Sequence, residues 1–416
     1  MTIIGRIVFI FFLFILVDIY FFQSFRALQY DWLSNKKWWL SRIYFSISFI
    51  FFFGSILVVL LNQYQVISRS SVMIFTNIAF ILLVAKLIGS IPLLFEDISR
   101  LIRWLVGLLQ TASPGQTKSG ISRAKFISYT SLALAGVTVT AFIYGMVKTA
   151  YDFTVRRSKV VLTNLPESFN GLKIVQISDI HSGSFLSAEP IEKAVRQIMA
   201  LQPDIIFFTG DLVNDRASEI EPYLKLFSGL KAPLGVFSIL GNHDYGDYVQ
   251  WPDEQSKREN LDTLIQHHKT MGWDILLNEH RIIEKNGEKI KILGVENWGA
   301  ALRFPKYGDV QKAKANSENT PVTLLLSHDP SHWEAEITPN HSDIDLTFSG
   351  HTHGFQFGID IPGFKWSPSQ YVYKQWAGIY ESAHQKINVN RGFGFIGYMG
   401  RVGIKPEITL VELVKG

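Results

Sequence analysis

Cysteine is missing from all 416 residues. That single absence removes disulfide frameworks, thiolate metal sites and cysteine nucleophiles together. Histidine is missing from residues 1–150, whereas all 11 histidines fall between His181 and His384. The chain also lacks a long basic run and carries a net charge of only +4, so no nucleic-acid partner is expected. Charge itself is scarce early on: residues 43–61 and 126–147 contain none. The chain therefore reads as two parts, an apolar membrane region over 1–150 and a polar, histidine-bearing domain over 151–416.

Crossing roughly 30 Å of hydrocarbon takes about 20 apolar residues. Four stretches meet that length: 4–23, 40–61, 72–95 and 126–147. The first has a long apolar core with no small-residue cleavage site after it, so it reads as retained rather than as a signal peptide. Two spans carry a charge, Asp18 in the first and Lys86 in the third. Both lie off-centre, where they can snorkel or pair. Trp38 and Trp39 suit an interfacial belt. The segment ISRLIRWLVGLLQ (98–110) sets Arg100, Arg103 and Trp104 among leucines at helical spacing, which predicts an amphipathic helix on the membrane surface. TASPGQTKSG (111–120) reads as a turn-rich linker.

Four spans leave both termini on one side. Loops one and three carry eight basic residues, namely Arg26, Lys36, Lys37, Arg100, Arg103, Lys118, Arg123 and Lys125, against Arg6 and Arg69 in the other short segments. The positive-inside rule then puts these loops in the cytoplasm and the polar domain outside it. SRAKFIS (122–128) resembles a degenerate twin-arginine export signal, with Ala124 in place of the second arginine.

From about residue 152 short β-rich runs alternate with helices. LKIVQISD (172–179), PDIIFFTGD (203–211), GVFSILGNHD (235–244), PVTLLLSHD (321–329) and IDLTFSGHTH (344–353) each run apolar and then stop at Asp, Asn or His. EPIEKAVRQIMALQ (189–202) reads as a helix with proline near its start. Ligands of α/β sheets sit beyond the carboxyl ends of strands, so the five polar ends are expected to share one crevice. Imidazole, carboxylate and amide oxygen without thiolate make a ligand set for manganese, iron or zinc. Eight such groups exceed the needs of one tetrahedral ion, which implies two. One spacing looks wrong for this. His351 and His353 in FSGHTHGFQFG (348–358) would point to opposite faces of an extended strand, unless glycines 350, 354 and 358 bend the chain.

As a set, Asp179-x-His181, Gly210-Asp211, Gly241-Asn242-His243-Asp244, Ser327-His328 and Gly350-His351-Thr352-His353 resemble the five blocks of the calcineurin-like metallophosphoesterases. The likeness covers roughly 170–412. The lead-in GLKIVQISDIHSG and the closing INVNRGFG…IKPEITLVEL further resemble the membrane-associated bacterial branch, which includes enzymes related to UDP-2,3-diacylglucosamine pyrophosphatase.

The resemblance implies two packed β-sheets flanked by helices, a four-layer αββα sandwich, behind N-terminal transmembrane helices. It implies that Asp179, His181 and His353 hold one metal and Asn242, His328 and His351 the other, with Asp211 bridging. A water acidified between the two cations, with manganese favoured, would attack phosphorus in line. Asn242 would steady the phosphate and His243 would protonate the departing oxygen. The family often has an acid three residues after the bridging aspartate to orient that histidine. Here the position is Asn214, followed by Asp215, so a neutral acceptor is expected instead.

Membrane attachment suggests a lipid-linked phosphate, a nucleotide-linked lipid precursor or an envelope polymer as substrate, and the branch suggests a bacterial plasma membrane. His267 and His268, in a polar helical stretch, read as solvated. His280, His332, His341 and His384 match no block, with His332 near enough to His328 to be weighed for the pocket. Trp298 stands where relatives often carry an acid near the site; it reads as packing, with Glu296 beside it weighed as a contributor. Two other readings are a membrane sensor or scaffold that binds metal without turnover, and a transporter using Asp18 and Lys86.

Overall fold

The computed structural model describes residues 3–25, 37–63, 66–107, 123–301 and 304–416. The expected linker at 111–120 lies outside them, as do Arg26, Lys36 and Lys118. The chain divides into two compact units, Met1–Tyr144 and Gly145–Gly416.

The first unit is helical: α1 (Ile3–Phe22), α2 (Lys37–Gln63), α3 (Arg69–Gly107) and α4 (Arg123–Val147). Among the described residues three stretches are long and apolar enough to cross a membrane, Trp38–Leu61, Ser71–Gly107 and Arg123–Tyr151. The first expected span is helical over 20 residues, but its described apolar stretch, Phe12–Phe25, is shorter than the others. The separate surface helix expected from residue 98 onward is not separate. It continues α3 without a break through Pro92 to Gly107. Its charges explain why: the Glu96 carboxylate receives Arg100 and Arg103, each at 3.1 Å, and Arg123 at 2.8 Å.

Inside this unit the two charges of the spans pair. Lys86 Nζ lies 2.5 Å from Asp18 Oδ1 and 2.6 Å from Ser48 Oγ. Tyr44 donates to the same carboxylate at 3.1 Å. Pairing is what makes two charges tolerable among apolar helices.

Among its described residues the second unit has fourteen strands. One six-stranded sheet runs in the order β1 (Thr154–Leu162), β14 (Glu407–Lys415), β2 (Lys173–Ile177), β3 (Ile205–Thr209), β4 (Val236–Ile239), β5 (Asp274–Ile275). The other runs β12 (Gly378–Ser382), β13 (Gln385–Val389), β9 (Leu346–Ser349), β8 (Thr323–Leu326), β7 (Glu288–Gly294), β6 (Glu279–Lys285). A separate hairpin pairs β10 (Ile359–Ile361) with β11 (Phe364–Trp366).

The middle strands are buried on both faces, so they read as unbroken apolar runs rather than alternating ones; all five residues of β3 are buried. Between the sheets Ile174, Phe207 and Ile239 meet Ile292, Leu324 and Phe348. Outside the second sheet Leu325 and Ile387 pack with Val310, Trp333 and Ile337. Outside the first, α5 (Glu189–Ala200) buries Ile191, Ala194 and Ile198. There too α6 (Glu254–Thr270) brings His268 against Phe208, with ring centroids 5.8 Å apart. The result is the expected helix–sheet–sheet–helix sandwich. His268 corrects the solvated reading: this last turn of α6 faces the sheet, and the ring is buried with Nδ1 2.9 Å from Ser238 Oγ.

Candidate metal centre

Strands β2, β3 and β4 are mutually parallel, as are β7, β8, β9 and β13. Each set therefore sends its carboxyl ends to one side, and the polar residues after β2, β3, β4, β8 and β9 converge. Asp179, His181 and His353 offer ligand atoms within 4.8 Å of one another, and Asp211, His328 and His351 form a second such group. In the first group His181 Nε2 is 3.0 Å from His353 Nε2, and His353 Nε2 is 3.2 Å from Asp179 Oδ1. In the second, His328 Nε2 is 3.2 Å from Asp211 Oδ2 and 3.3 Å from His351 Nδ1. The same Asp211 Oδ2 lies 3.5 Å from His181 Nε2, so one carboxylate oxygen touches both groups.

The backbone here is strained where the function is expected. Asp179, His181, Asp211, His351 and His353 all have positive φ, between 47° and 70°. Non-glycine residues rarely adopt such values, and each costs about 1–3 kcal/mol that the surrounding structure must offset. This resolves the spacing of His351 and His353. The histidines themselves turn the chain, with Gly354 also at positive φ, so alternation along a strand does not apply. Gly350 does something other than bend: a Cβ there would stand 1.9 Å from Ser178 Oγ and 2.3 Å from Asp179 Oδ2. Its bareness lets β9 close onto the end of β2, where His351 N–H donates to the Asp179 carboxylate at 3.0 Å.

Three of the four rings are met from behind, and the fourth, His181, has its Nδ1 buried without a partner. His328 Nδ1 donates to the Thr209 carbonyl at 2.7 Å, turning Nε2 to the centre. His351 Nε2 meets Tyr373 Oη at 2.8 Å and stands 3.6 Å from Asp329 Oδ2. Arg401, fully buried, places Nη2 3.3 Å from His353 Nδ1. Asp244 accepts N–H groups from Gly241 at 2.8 Å, Asp211 at 2.9 Å and Leu212 at 2.8 Å. It thereby fastens the loop bearing Asp211 to the loop bearing Asn242 and His243.

The electrostatics follow from crowding. Burial opposes charge on Asp179 and Asp211, yet His353 beside the first and His328 beside the second hold both carboxyls well below the usual range. Burial likewise works against a charged His328, but Asp211 overrides it and pushes the imidazole up to about 10. His181 is taken well below its ordinary value by burial.

Asn242 and His243 line the same cavity of about 530 Å³, with Tyr248 and Phe304. The Asn242 amide donates to Tyr248 Oη at 2.8 Å, while its Oδ1 is buried without a partner. His243 N–H donates to Asp211 Oδ1 at 2.9 Å, and its Nδ1 donates to the Asn214 backbone carbonyl at 2.8 Å. The neutral acceptor expected at Asn214 is therefore its main chain. The Asn214 side chain turns away to Ser184, 2.9 Å from its hydroxyl.

The remaining histidines stand apart. His332 sits behind the wall, with Nδ1 2.8 Å from Ser327 Oγ and its ring stacked on Trp298 at 4.4 Å. His280, His341 and His384 bond to Ala313, Lys314 and Ser342, and Glu296 binds Tyr245 and Asn278. The sequence reading gave no role to Asp244, Asp329, Tyr248, Tyr373 or Arg401. Asp244 and Asp329 were visible as the acids closing GNHD and SHD; the tyrosines and Arg401 lie in no block and had no signal.

The donor set fits divalent cations. Imidazole nitrogens face carboxylate oxygens and one another at about hydrogen-bond distance, and the Asn242 oxygen waits unpaired beside them. Oxygen and imidazole donors without sulfur suit manganese, iron or zinc.

Comparison with known proteins agrees with this geometry. Residues 172–355 match the family model described as "Calcineurin-like phosphoesterase". Residues 3–150 match that described as "Probable Calcineurin-like phosphoesterase, transmembrane domain". "Transmembrane protein with metallophosphoesterase domain" of Danio rerio is 31% identical over 293 residues, 68% of this chain and 62% of its own. "Uncharacterized metallophosphoesterase YkuE" of Bacillus subtilis is 28% identical over 300 residues, 70% of this chain and 98% of its own. "UDP-2,3-diacylglucosamine pyrophosphatase LpxG" of Chlamydia trachomatis is 31% identical over 242 residues, 48% of this chain and 70% of its own. The chain spans 62% and 66% of the length of the fish and cattle transmembrane relatives. These matches describe a membrane protein with a metallophosphoesterase domain. The chain belongs to the calcineurin-like metallophosphoesterases.

Proposed function

We propose that this protein is a membrane-attached, metal-dependent phosphoester hydrolase. In this reading Asp179, His181 and His353 hold one divalent cation, and Asn242, His328 and His351 a second, with Asp211 shared. Manganese is favoured over iron or zinc. The observation that carries the reading is the single Asp211 oxygen lying 3.5 Å from His181 and 3.2 Å from His328. Divalent cations held there would polarise a phosphoryl group and acidify water.

The chain's own residues do the rest. Asn242 turns its amide oxygen inward because Tyr248 holds the nitrogen, and it steadies the phosphate at the cavity wall. The Asn214 carbonyl takes the Nδ1 proton of His243, leaving Nε2 as the nitrogen that gives a proton to the departing ester oxygen. Water oxygen replaces that ester oxygen on phosphorus, so the products are a phosphate or phosphoester and an alcohol, or two phosphates from a pyrophosphate. The expected experiment is hydrolysis of an aryl phosphodiester by the purified full chain with manganese. Retained metal with no turnover against lipid and nucleotide phosphates as well would favour the sensor or scaffold reading and sink this one.

The substrate class proposed is a lipid-linked or nucleotide-linked lipid phosphate. Support comes from the apolar helices of residues 3–147 and from the likeness to a relative named for cleaving UDP-2,3-diacylglucosamine. We take residues 151–416 as the catalytic domain, in a bacterial plasma membrane and facing away from the cytoplasm. A reporter active only outside the cytoplasm, fused at Gly416, should give signal; silence with an active cytoplasmic fusion would reverse the orientation.

A further inference from the structure

Hairpin β10–β11 turns its faces the opposite way from a soluble domain's. Its register pairs Ile359 with Trp366, Asp360 with Lys365 and Ile361 with Phe364. Residues directly opposed share a face, so one face is Ile359, Ile361, Phe364 and Trp366, and the other is Asp360 and Lys365. The polar face is the one gripped by the domain. Asp360 Oδ2 receives Arg156 at 2.5 Å and Arg391 at 3.1 Å, and Lys365 donates to the Ala377 carbonyl at 2.6 Å. Three of the four apolar side chains point out, Ile359 at 46% exposed, Ile361 at 58% and Phe364 at 53%, while Trp366 is half-buried; Tyr371 at 76% and Val372 at 60% follow in the chain. A two-stranded hairpin is marginal by itself, and this one is anchored so as to display hydrophobic side chains. A contiguous patch of that kind marks an interaction surface.

We propose that this face dips into the interfacial layer of the bilayer to which the chain is attached. Arg156, which grips Asp360, comes nine residues after Val147, the last residue of α4. That length of chain spans at most about 30 Å, so the patch is tethered to a bilayer rather than to bulk water. Aliphatic side chains beside Tyr371 suit the boundary between headgroups and acyl chains. A second copy of the chain fits less well, because five half-exposed side chains fall short of the roughly 800 Å² per partner of a standard interface. Val372 is followed in the chain by Tyr373, which lines the cavity of the metal centre together with Phe355, 46% exposed. Resting on the phosphoesterase reading, a hairpin seated in the bilayer would hold that cavity near a lipid-linked phosphate.

The natural chain has no cysteine, so one introduced thiol labels uniquely. Phe364→Cys and, separately, Ile361→Cys are labelled with the fluorophore NBD in the full chain and reconstituted into phosphatidylcholine–phosphatidylglycerol vesicles. A label on Gln266→Cys, on the exposed side of α6, is the control. Lipids carrying a nitroxide high on the acyl chain should quench the two hairpin labels at least about threefold more than the control, as for groups 5–10 Å into the interface. Equal quenching at all three sites overturns the proposal. So does a blue-shifted but unquenched hairpin label, which would mean a protein partner. Turnover does not enter this readout, so failure of the hairpin inference is distinguishable from failure of the phosphoesterase reading.

Discussion

Each unit of the molecule buries charge, and the two do it in opposite ways. In the helical unit Asp18 is answered by Lys86, and Ser48 and Tyr44 complete its hydrogen bonds. The cluster is closed: the chain supplies both signs. In the sandwich Asp179 and Asp211 face imidazoles, three of whose other nitrogens are engaged at Thr209, Tyr373 and Arg401, while His181 Nδ1 and the Asn242 amide oxygen are left over. That cluster is open: Asp211 holds a proton on His328, yet the ligand atoms that converge there do not complete one another's bonds. Both clusters are buried and ionic, so burial alone does not separate structure from chemistry. What separates them is whether the chain completes its own bonding.

The comparison breaks most sharply at Asp211. In an open cluster with one shared carboxylate, Asp211→Asn should cost more activity than any other ligand change, roughly 10⁴-fold in turnover, the scale on which catalytic units fail when one member is lost. Metal analysis should show fewer than two ions per chain. A variant that keeps both ions would mean that the carboxylate is not shared. His243 tests the other side of the same idea, because it lines the cavity without belonging to either group. His243→Ala should lower turnover by about 10²–10⁴ while metal content stays near that of the unchanged chain. Loss of the metals would erase the division between holding cations and moving a proton.

The closed cluster should answer only in stability. Removing one partner of a buried pair leaves an uncompensated charge and costs about 3–5 kcal/mol, whereas replacing both with apolar residues is often neutral. Lys86→Met should therefore lower the melting temperature of the detergent-solubilised protein, and adding Asp18→Leu should restore much of it. If Lys86→Met instead leaves melting unchanged but abolishes turnover, the pair is functional and the contrast between the units collapses.

How much of this the sequence carried depends on whether the signal was local. The strand ends were legible because doubly buried parallel strands are unbroken apolar runs, and each of five such runs stops at a metal-ligating residue type. Convergence of those ends followed from sheet geometry, while the division of the ligands into two groups was implied only by the family resemblance. His351 and His353 marked where that reading ran out: the strain sits on the histidines, and no propensity assigns positive φ to histidine in preference to the neighbouring glycines. His268 was misjudged because the stretch around it is polar, while burial is decided by which side of α6 meets β4. Pro92 did not break α3, since Glu96 with three arginines holds the turns beyond it. Tyr248, Tyr373 and Arg401 reach the site from loops far along the chain, and contacts of that kind leave no periodicity.

The smallest expected effect concerns the residue beside His243. Where relatives often place an acid, this chain has Asn214, and the structure orients His243 through the Asn214 carbonyl rather than its side chain. A main-chain acceptor is indifferent to what the side chain is, provided the loop keeps its course. That course is set elsewhere: Glu219 accepts the Asn214 N–H at 2.6 Å, and Asp244 accepts the Val213 N–H at 3.3 Å. Asn214→Ala removes only the link to Ser184, so its turnover should fall far less than that of His243→Ala. Glu219→Gln loosens the loop and should cost more than Asn214→Ala, because Glu219 accepts the main-chain N–H groups of Asn214 and Arg216. The check is a comparison of kcat among the three variants at equal metal content. An Asn214→Ala variant as impaired as His243→Ala would mean that the carboxamide orients the ring during turnover, and that the carbonyl contact belongs only to the resting site.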